Sequence, residues 1–114
     1  MTREYRLSVL DQTPIEEGMT AADALANTLD LARTCDMLGY HRYWLAEHPT
    51  GGLDAMTVLT VVGSKVKDIE LGTAIIPTFP RHPMVLAGQV HTLQAAIGSR
   101  FTLGIGLSHE VMMA

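Results

Sequence analysis

The sequence predicts an α/β domain built on a parallel sheet, and three observations carry that prediction. Short apolar runs alternate with amphipathic helical patterns in the order βαβαβαβ. Each crossover is long enough to return the chain in the same direction, as parallel strands require. The later apolar runs are hydrophobic on both faces, as in sheets covered on both sides.

The first strand is Leu7-Ser8-Val9-Leu10, stopped by Asp11-Gln12-Thr13-Pro14, where a charge, turn formers and a proline end regular pairing. Thr20-Ala21-Ala22-Asp23 has the form of a capping box with Asp in place of Glu. Leu25, Leu29, Ala32 and Cys35 then recur on one helical face, so the first helix spans about Ala21 to Leu38 and ends at Gly39. Tyr43-Trp44-Leu45-Ala46 forms the second strand, which ends at Glu47-His48 before the loop Pro49-Thr50-Gly51-Gly52. Asp54 caps a second helix with Met56, Leu59, Val62 and Val66 as its apolar stripe. Ile69 to Ile76 is the third strand and stops near Pro77. Pro83 suits the first position of a third helix, where its missing N–H costs nothing, and Leu86, Val90, Leu93 and Ile97 form the stripe up to Gly98. Phe101 to Leu107 is the fourth strand. Periodicity alone does not separate a closed barrel from an open sheet.

A chain of 114 residues, 47% hydrophobic and 18% charged, makes one folded domain over residues 1–114. The net charge of −4, with no cluster of Lys and Arg, argues against nucleic acid and anionic membrane as partners. Cys35 is the single cysteine and has no internal partner; within a helical apolar pattern it reads as a small buried thiol. The chain opens on no apolar leader and has no apolar run near the roughly 20 residues that span a bilayer, so the expected location is cytoplasmic.

Parallel α/β folds bind ligands at the carboxyl ends of their strands, where the βα loops meet. Those ends carry Asp11-Gln12-Thr13, Glu47-His48, Thr78-Phe79-Pro80-Arg81-His82 and Ser108-His109-Glu110. His48, beside Glu47, has the residue type that moves protons near neutral pH, against the plainer reading of a hydrogen-bonding loop histidine. If the strand persists, Glu47 and His48 point to opposite sides and only one faces the pocket. Arg81-His82 before Pro83 offers an anion site at a helix N-terminus, or else a solvated loop. His41 and His91 lie away from the strand ends, and the histidine spacing matches no zinc motif, so no metal site is expected. Gly104-Ile105-Gly106 lies inside a strand and is not a dinucleotide fingerprint; such glycines mark a close approach, here a flat ring over Gly106.

Four ordered segments resemble one family, the luciferase-like monooxygenases: Leu7-Ser8-Val9-Leu10-Asp11, Gly39-Tyr40-His41-Arg42-Tyr43-Trp44-Leu45-Ala46-Glu47-His48, Ile69-Glu70-Leu71-Gly72-Thr73-Ala74 and Gly98-Ser99-Arg100-Phe101-Thr102-Leu103-Gly104-Ile105-Gly106. The resemblance runs over essentially the whole chain and covers half of the family's (β/α)₈ barrel. It implies reduced FMN or coenzyme F420 at the carboxyl face, with contacts at Asp11, Thr73, Ala74, Ile75, Gly106, Ser108 and His109. It also implies a catalytic role for His48 with Glu47. Pro49 stands where bacterial luciferase has the second histidine of its Glu-His-His motif, and Gly106 where it has a reactive cysteine. At Ala74-Ile75 the family often has a non-prolyl cis peptide.

Residues up to Glu47-His48 resemble the flavin-dependent branch and those from Leu53 onward the F420-dependent branch. That contrast fits either a junction near 49–52 or ordinary divergence. The resemblance implies an oxidoreductase or monooxygenase acting on a small organic substrate. The alternative, of another class, is a truncated, recombined or designed half barrel without activity. Because a (β/α)₈ barrel takes about 250 residues and binds phosphate after its last two strands, that anchor is not expected here. Four strands leave two open edges and an uncovered inner face, so a homodimer or higher oligomer is expected to complete the barrel.

Overall fold

A computed structural model describes residues 5–48 and 52–107. Its elements run β1 (Ser8–Asp11), α1 (Ala21–Leu38), β2 (Arg42–Leu45), α2 (Ala55–Lys65), β3 (Glu70–Thr73), β4 (Ile76–Pro77), α3 (Pro83–Ile97), β5 (Phe101–Thr102) and β6 (Ile105–Gly106). A single 3₁₀ turn at Gly98–Arg100 leads into β5. All strand pairs are parallel, in the order β1-β2-β3-β5, with β4 and β6 paired beside them. The expected α/β order is therefore present. The third and fourth strands each appear in two pieces.

The helices form where their ends are satisfied. Thr20 and Asp23 exchange reciprocal hydrogen bonds at 3.1 and 3.0 Å, and Gly39 closes α1 in the left-handed conformation that glycine adopts freely. Asp54 accepts from the Thr57 amide at 2.9 Å to start α2. Pro83 opens α3, and the cap is His82, whose Nδ1 accepts from the Met84 amide at 3.1 Å.

The break in the third strand falls at Ala74-Ile75, whose peptide bond is cis. Across the break Thr73 Oγ1 donates to the Gly104 carbonyl and accepts from the Gly104 amide, both at 2.8 Å. A side chain at Gly104 would strike the Thr73 carbonyl, so the two backbones meet closely only because residue 104 is glycine.

Alternation divides the sheet into two faces. Val9, Tyr43, Leu71 and Phe101 lie in one row and Leu45 beside Thr73 in the next; these sit in the core with Ala32 and Cys35 of α1, Leu59 and Val62 of α2, and Leu93 and Ile97 of α3. The row Leu10, Trp44, Gly72 and Thr102 belongs to the other face. There Leu10 is 56% exposed, the Trp44 ring covers Gly72, and the Arg42 guanidinium lies 4.9 Å from the Trp44 ring. All three helices share one core on one face, which sets aside a doubly wound sheet of the flavodoxin kind among the described residues. No helix of the described residues is long and apolar enough to cross a membrane.

Candidate active site at the carboxyl ends of the strands

The chain leaves β2 at Leu45 but stays tied to its neighbours. The Ala46 amide donates to the Asp11 carbonyl at 3.0 Å and the Glu47 amide to the Ile75 carbonyl at 3.2 Å. With regular strand ended, the alternation expected to send Glu47 and His48 to opposite sides does not decide their placement. Both border one cleft of about 620 Å³, together with Asp54, Arg81, His82 and Gln89. His48 also edges a smaller cavity of about 210 Å³ beside Gln12 and Thr13.

The two residues nevertheless differ in what they can do. The Glu47 carboxylate is nine-tenths buried: Oε1 accepts from the Ala55 amide at 2.8 Å, in the first turn of α2, and Oε2 lies 2.7 Å from Arg81 Nη2. Arg81 Nη2 also meets Asp54 Oδ1 at 3.1 Å, and Nη1 donates to the Pro77 carbonyl at 2.9 Å. Burial alone would raise the Asp54 pKa, but hydrogen bonds from Thr57 and the Arg81 charge hold it below its ordinary value. The expected catalytic role of Glu47 thus meets a carboxylate already engaged as a helix-end acceptor and ion-pair partner. His48 is exposed at the cleft.

Of the two readings of Arg81-His82, the structure does not favour a free anion site. Two carboxylates balance the Arg81 charge, and His82 spends Nδ1 on its own helix cap.

Asp11 and Thr73 also sit differently from the ligand-facing positions expected of them. Asp11 is buried and accepts from the Thr28 hydroxyl at 2.9 Å, the Thr13 amide at 2.8 Å and the Tyr43 hydroxyl. Burial first, then the bond to Asp11 and its charge, holds the Tyr43 phenol well above its ordinary range. The Cys35 thiol is pushed up by burial and then by Asp11. Thr73 is fully buried with its hydroxyl spent on Gly104.

Ala74, Ile75 and Gly106 stay near the surface of this end. Ile75 is 37% exposed and its side chain packs over Gly106, where a Cβ would collide with it. Ser108 and His109 lie outside the described residues, as do positions 49–51 and with them most of the suggested junction. The Glu47–Arg81 pair escaped the sequence reading because 34 positions separate the partners and no local spacing links them.

The family model described as luciferase-like monooxygenase matches residues 5–113. The chain belongs to that family. A luciferase-like monooxygenase of Escherichia coli strain K12 is 40% identical over 104 residues, covering 87% of this chain and 31% of that protein. The oxygenating constituent of 3,6-diketocamphane monooxygenase of Pseudomonas putida, solved in complex with FMN, matches with a TM-score of 0.83 at 18% identity, over 91% of this chain and 30% of that one. Coenzyme F420-dependent tetrahydromethanopterin reductase of Methanopyrus kandleri matches with a TM-score of 0.78 at 22% identity, over 96% and 29%. This luciferase-like chain thus spans about a third of its relatives' length, and its sheet and helices correspond to part of their barrel.

Proposed function

We propose that the chain carries the histidine-bearing part of the site of an oxidoreductase that uses reduced FMN or coenzyme F420 on a small organic substrate. The observation that carries this reading is His48, an exposed imidazole at the carboxyl end of β2, bordering a cleft of about 620 Å³ in a luciferase-like chain. Support for the cofactor class comes from the two structural likenesses, one an FMN complex and the other F420-dependent.

The residues present fit the ring end of such a cofactor. The partly exposed Ile75 side chain packs over Gly106 and offers a small apolar surface on which a ring could lie. They do not fit its phosphate end. Among the described residues Arg81 is the one Lys or Arg at the carboxyl ends, and its charge is already balanced.

A reduced flavin supplies electrons for dioxygen activation, and a deazaflavin supplies hydride. His48 holds or delivers a proton at an imidazole nitrogen facing the cleft. The Glu47 oxygens are engaged by Arg81 and the Ala55 amide, so Glu47 holds the segment that presents His48.

The test follows cofactor consumption in the presence of small ketones and aldehydes, for the chain and for His48→Gln. Loss of a general acid or base costs on the order of 10²-fold or more in rate, with the fold unchanged because His48 is exposed. Equal rates in both proteins contradict the role of His48.

The uncovered inner face favours a second reading, a catalytically silent half barrel that folds by pairing with a second copy. Leu10 on that face is 56% exposed, and Ile105 and Leu107 at the last strand are 53% and 68% exposed, leaving apolar surface that invites association. Light scattering distinguishes this reading by mass: a dimer of the 12.4 kDa chain that takes up neither cofactor supports it, and a monomer contradicts it.

A further inference from the structure

The geometry points to Arg81 as a positioning residue for His48, acting through Glu47; the inference rests on the reading of His48 as the proton-handling group. His48 follows directly on a residue held from three directions. The Glu47 amide is bound to the Ile75 carbonyl at 3.2 Å, one carboxylate oxygen to the Ala55 amide at 2.8 Å, and both oxygens to Arg81 Nη2 at 2.7 and 2.8 Å.

Arg81 is itself held, by the Pro77 carbonyl at 2.9 Å and Asp54 at 3.1 Å. One guanidinium therefore joins the end of β2, the start of α2 and the end of β4. The Arg81 and Glu47 side chains are only 11% and 9% exposed, so their attraction is screened far less than that of a surface pair. The planar fork of arginine matters here, because Nη2 meets both carboxylates while Nη1 holds the Pro77 carbonyl.

The consequence is directional. With Arg81 present, the Glu47 carboxylate is neutralised and turned to α2, and the backbone that presents His48 is fixed beside the cleft. Without Arg81, a nine-tenths buried carboxylate keeps a single amide donor, and burying a charge so poorly matched is unfavourable. Glu47 then turns toward water through the cleft and carries the segment of Ala46 to His48 with it.

Nuclear magnetic resonance of the histidine side chains in the full chain reads this directly. The chain has five histidines, and His48→Gln identifies the His48 signals. Arg81→Gln is expected to shift or broaden the His48 signals and to lower Tm by roughly 10 °C or more, the loss typical of a broken buried pair. The double variant Arg81→Gln/Glu47→Gln, which leaves no unpaired buried charge, is expected to recover most of that Tm while the His48 signals stay displaced. Arg81→Lys is expected to restore the signals only in part.

His48 signals identical in the parent chain and in Arg81→Gln overturn the assignment. Should that variant not fold, the double variant provides the same comparison. All signals are read without cofactor, so the two readings fail separately. A chain that binds neither FMN nor F420 overturns the proposed function alone, and unmoved His48 signals overturn only the role of Arg81.

Discussion

The hydroxyl of Tyr43 on β2 donates to Oδ2 of Asp11 on β1, in the layer between the sheet and α1. The Thr28 hydroxyl and the Thr13 amide complete the set of donors, so a carboxylate expected at the ligand face instead ties the first helix to the sheet. Tyr43→Phe removes one donor from a buried carboxylate and is expected to lower stability by about 1–3 kcal/mol in urea unfolding. Unchanged stability in Tyr43→Phe would contradict the role given to this bond.

The same buried phenol contributes to stability at alkaline pH. Burial, the hydrogen bond to Asp11 and the Asp11 charge raise the folded-state pKa of Tyr43 above its ordinary value of 10.0. Its contribution to stability is therefore whole below about pH 10 and is lost as pH rises further, where the unfolded chain ionises first. Tyr43→Phe should flatten the fall of Tm above pH 10. A fall equally steep in both proteins would assign it to other groups, of which Cys35 has the same sign from 9.0 upward.

Asp54 combines a helix cap with an ion pair, and two substitutions separate them. Asp54→Ala loses both and is expected to cost about 1 kcal/mol or somewhat more, while Asp54→Asn retains the cap and costs less. Its folded-state pKa is lowered, so its contribution is present above the ordinary value of 3.8 and is lost as pH falls below it. The acid limb of a Tm profile should be shallower in Asp54→Asn.

Three glycines are expected to respond to alanine in three ways. At Gly104 the new Cβ meets the Thr73 carbonyl, which cannot yield without parting the strands, so Gly104→Ala should lower stability by several times the usual ~1 kcal/mol of a point substitution or prevent folding. At Gly106 it meets the end of the Ile75 side chain, which can rotate, so Gly106→Ala should fold and displace Ile75 at the surface. At Gly88, inside α3, there is open space and Gly88→Ala should stabilise by about 0.5–1 kcal/mol. Thermal unfolding of the three variants orders them, and Gly104→Ala at parent stability would contradict the close packing described.

Local chemistry made most of the fold legible. The Thr20/Asp23 box and Gly39 mark α1 from Ala21 to Leu38, and Asp54 and Pro83 mark the starts of α2 and α3. What pattern could not show were features made by residues distant in sequence. The apolar run Ile69 to Ile76 reads as one strand, yet the contact of Thr73 with Gly104 accompanies its division into β3 and β4. Leu86 and Val90 fit the helical stripe but are only partly buried.

The site divides in the same way. Its position at the strand ends follows from parallel topology, and His48 is at the cleft as expected. The engagement of Glu47 by Arg81, and of Asp11 by Tyr43 and Thr28, needed the third dimension. Arg100, read only as part of a family segment, binds the carbonyls of Gly63, Val66 and Ile97 at 2.9, 2.9 and 3.1 Å and closes the far end of α2.

The central claim is that this chain presents the ring end of a flavin-type site, and size-exclusion chromatography with light scattering and absorbance tests it most directly. The purified chain is run alone, after incubation with F420, and after incubation with reduced FMN under anaerobic conditions, the eluted peak in the last case being reoxidised in air before its absorbance is read. The account predicts a folded peak that carries the absorbance of one of the two cofactors. A folded peak that remains colourless with both would contradict it.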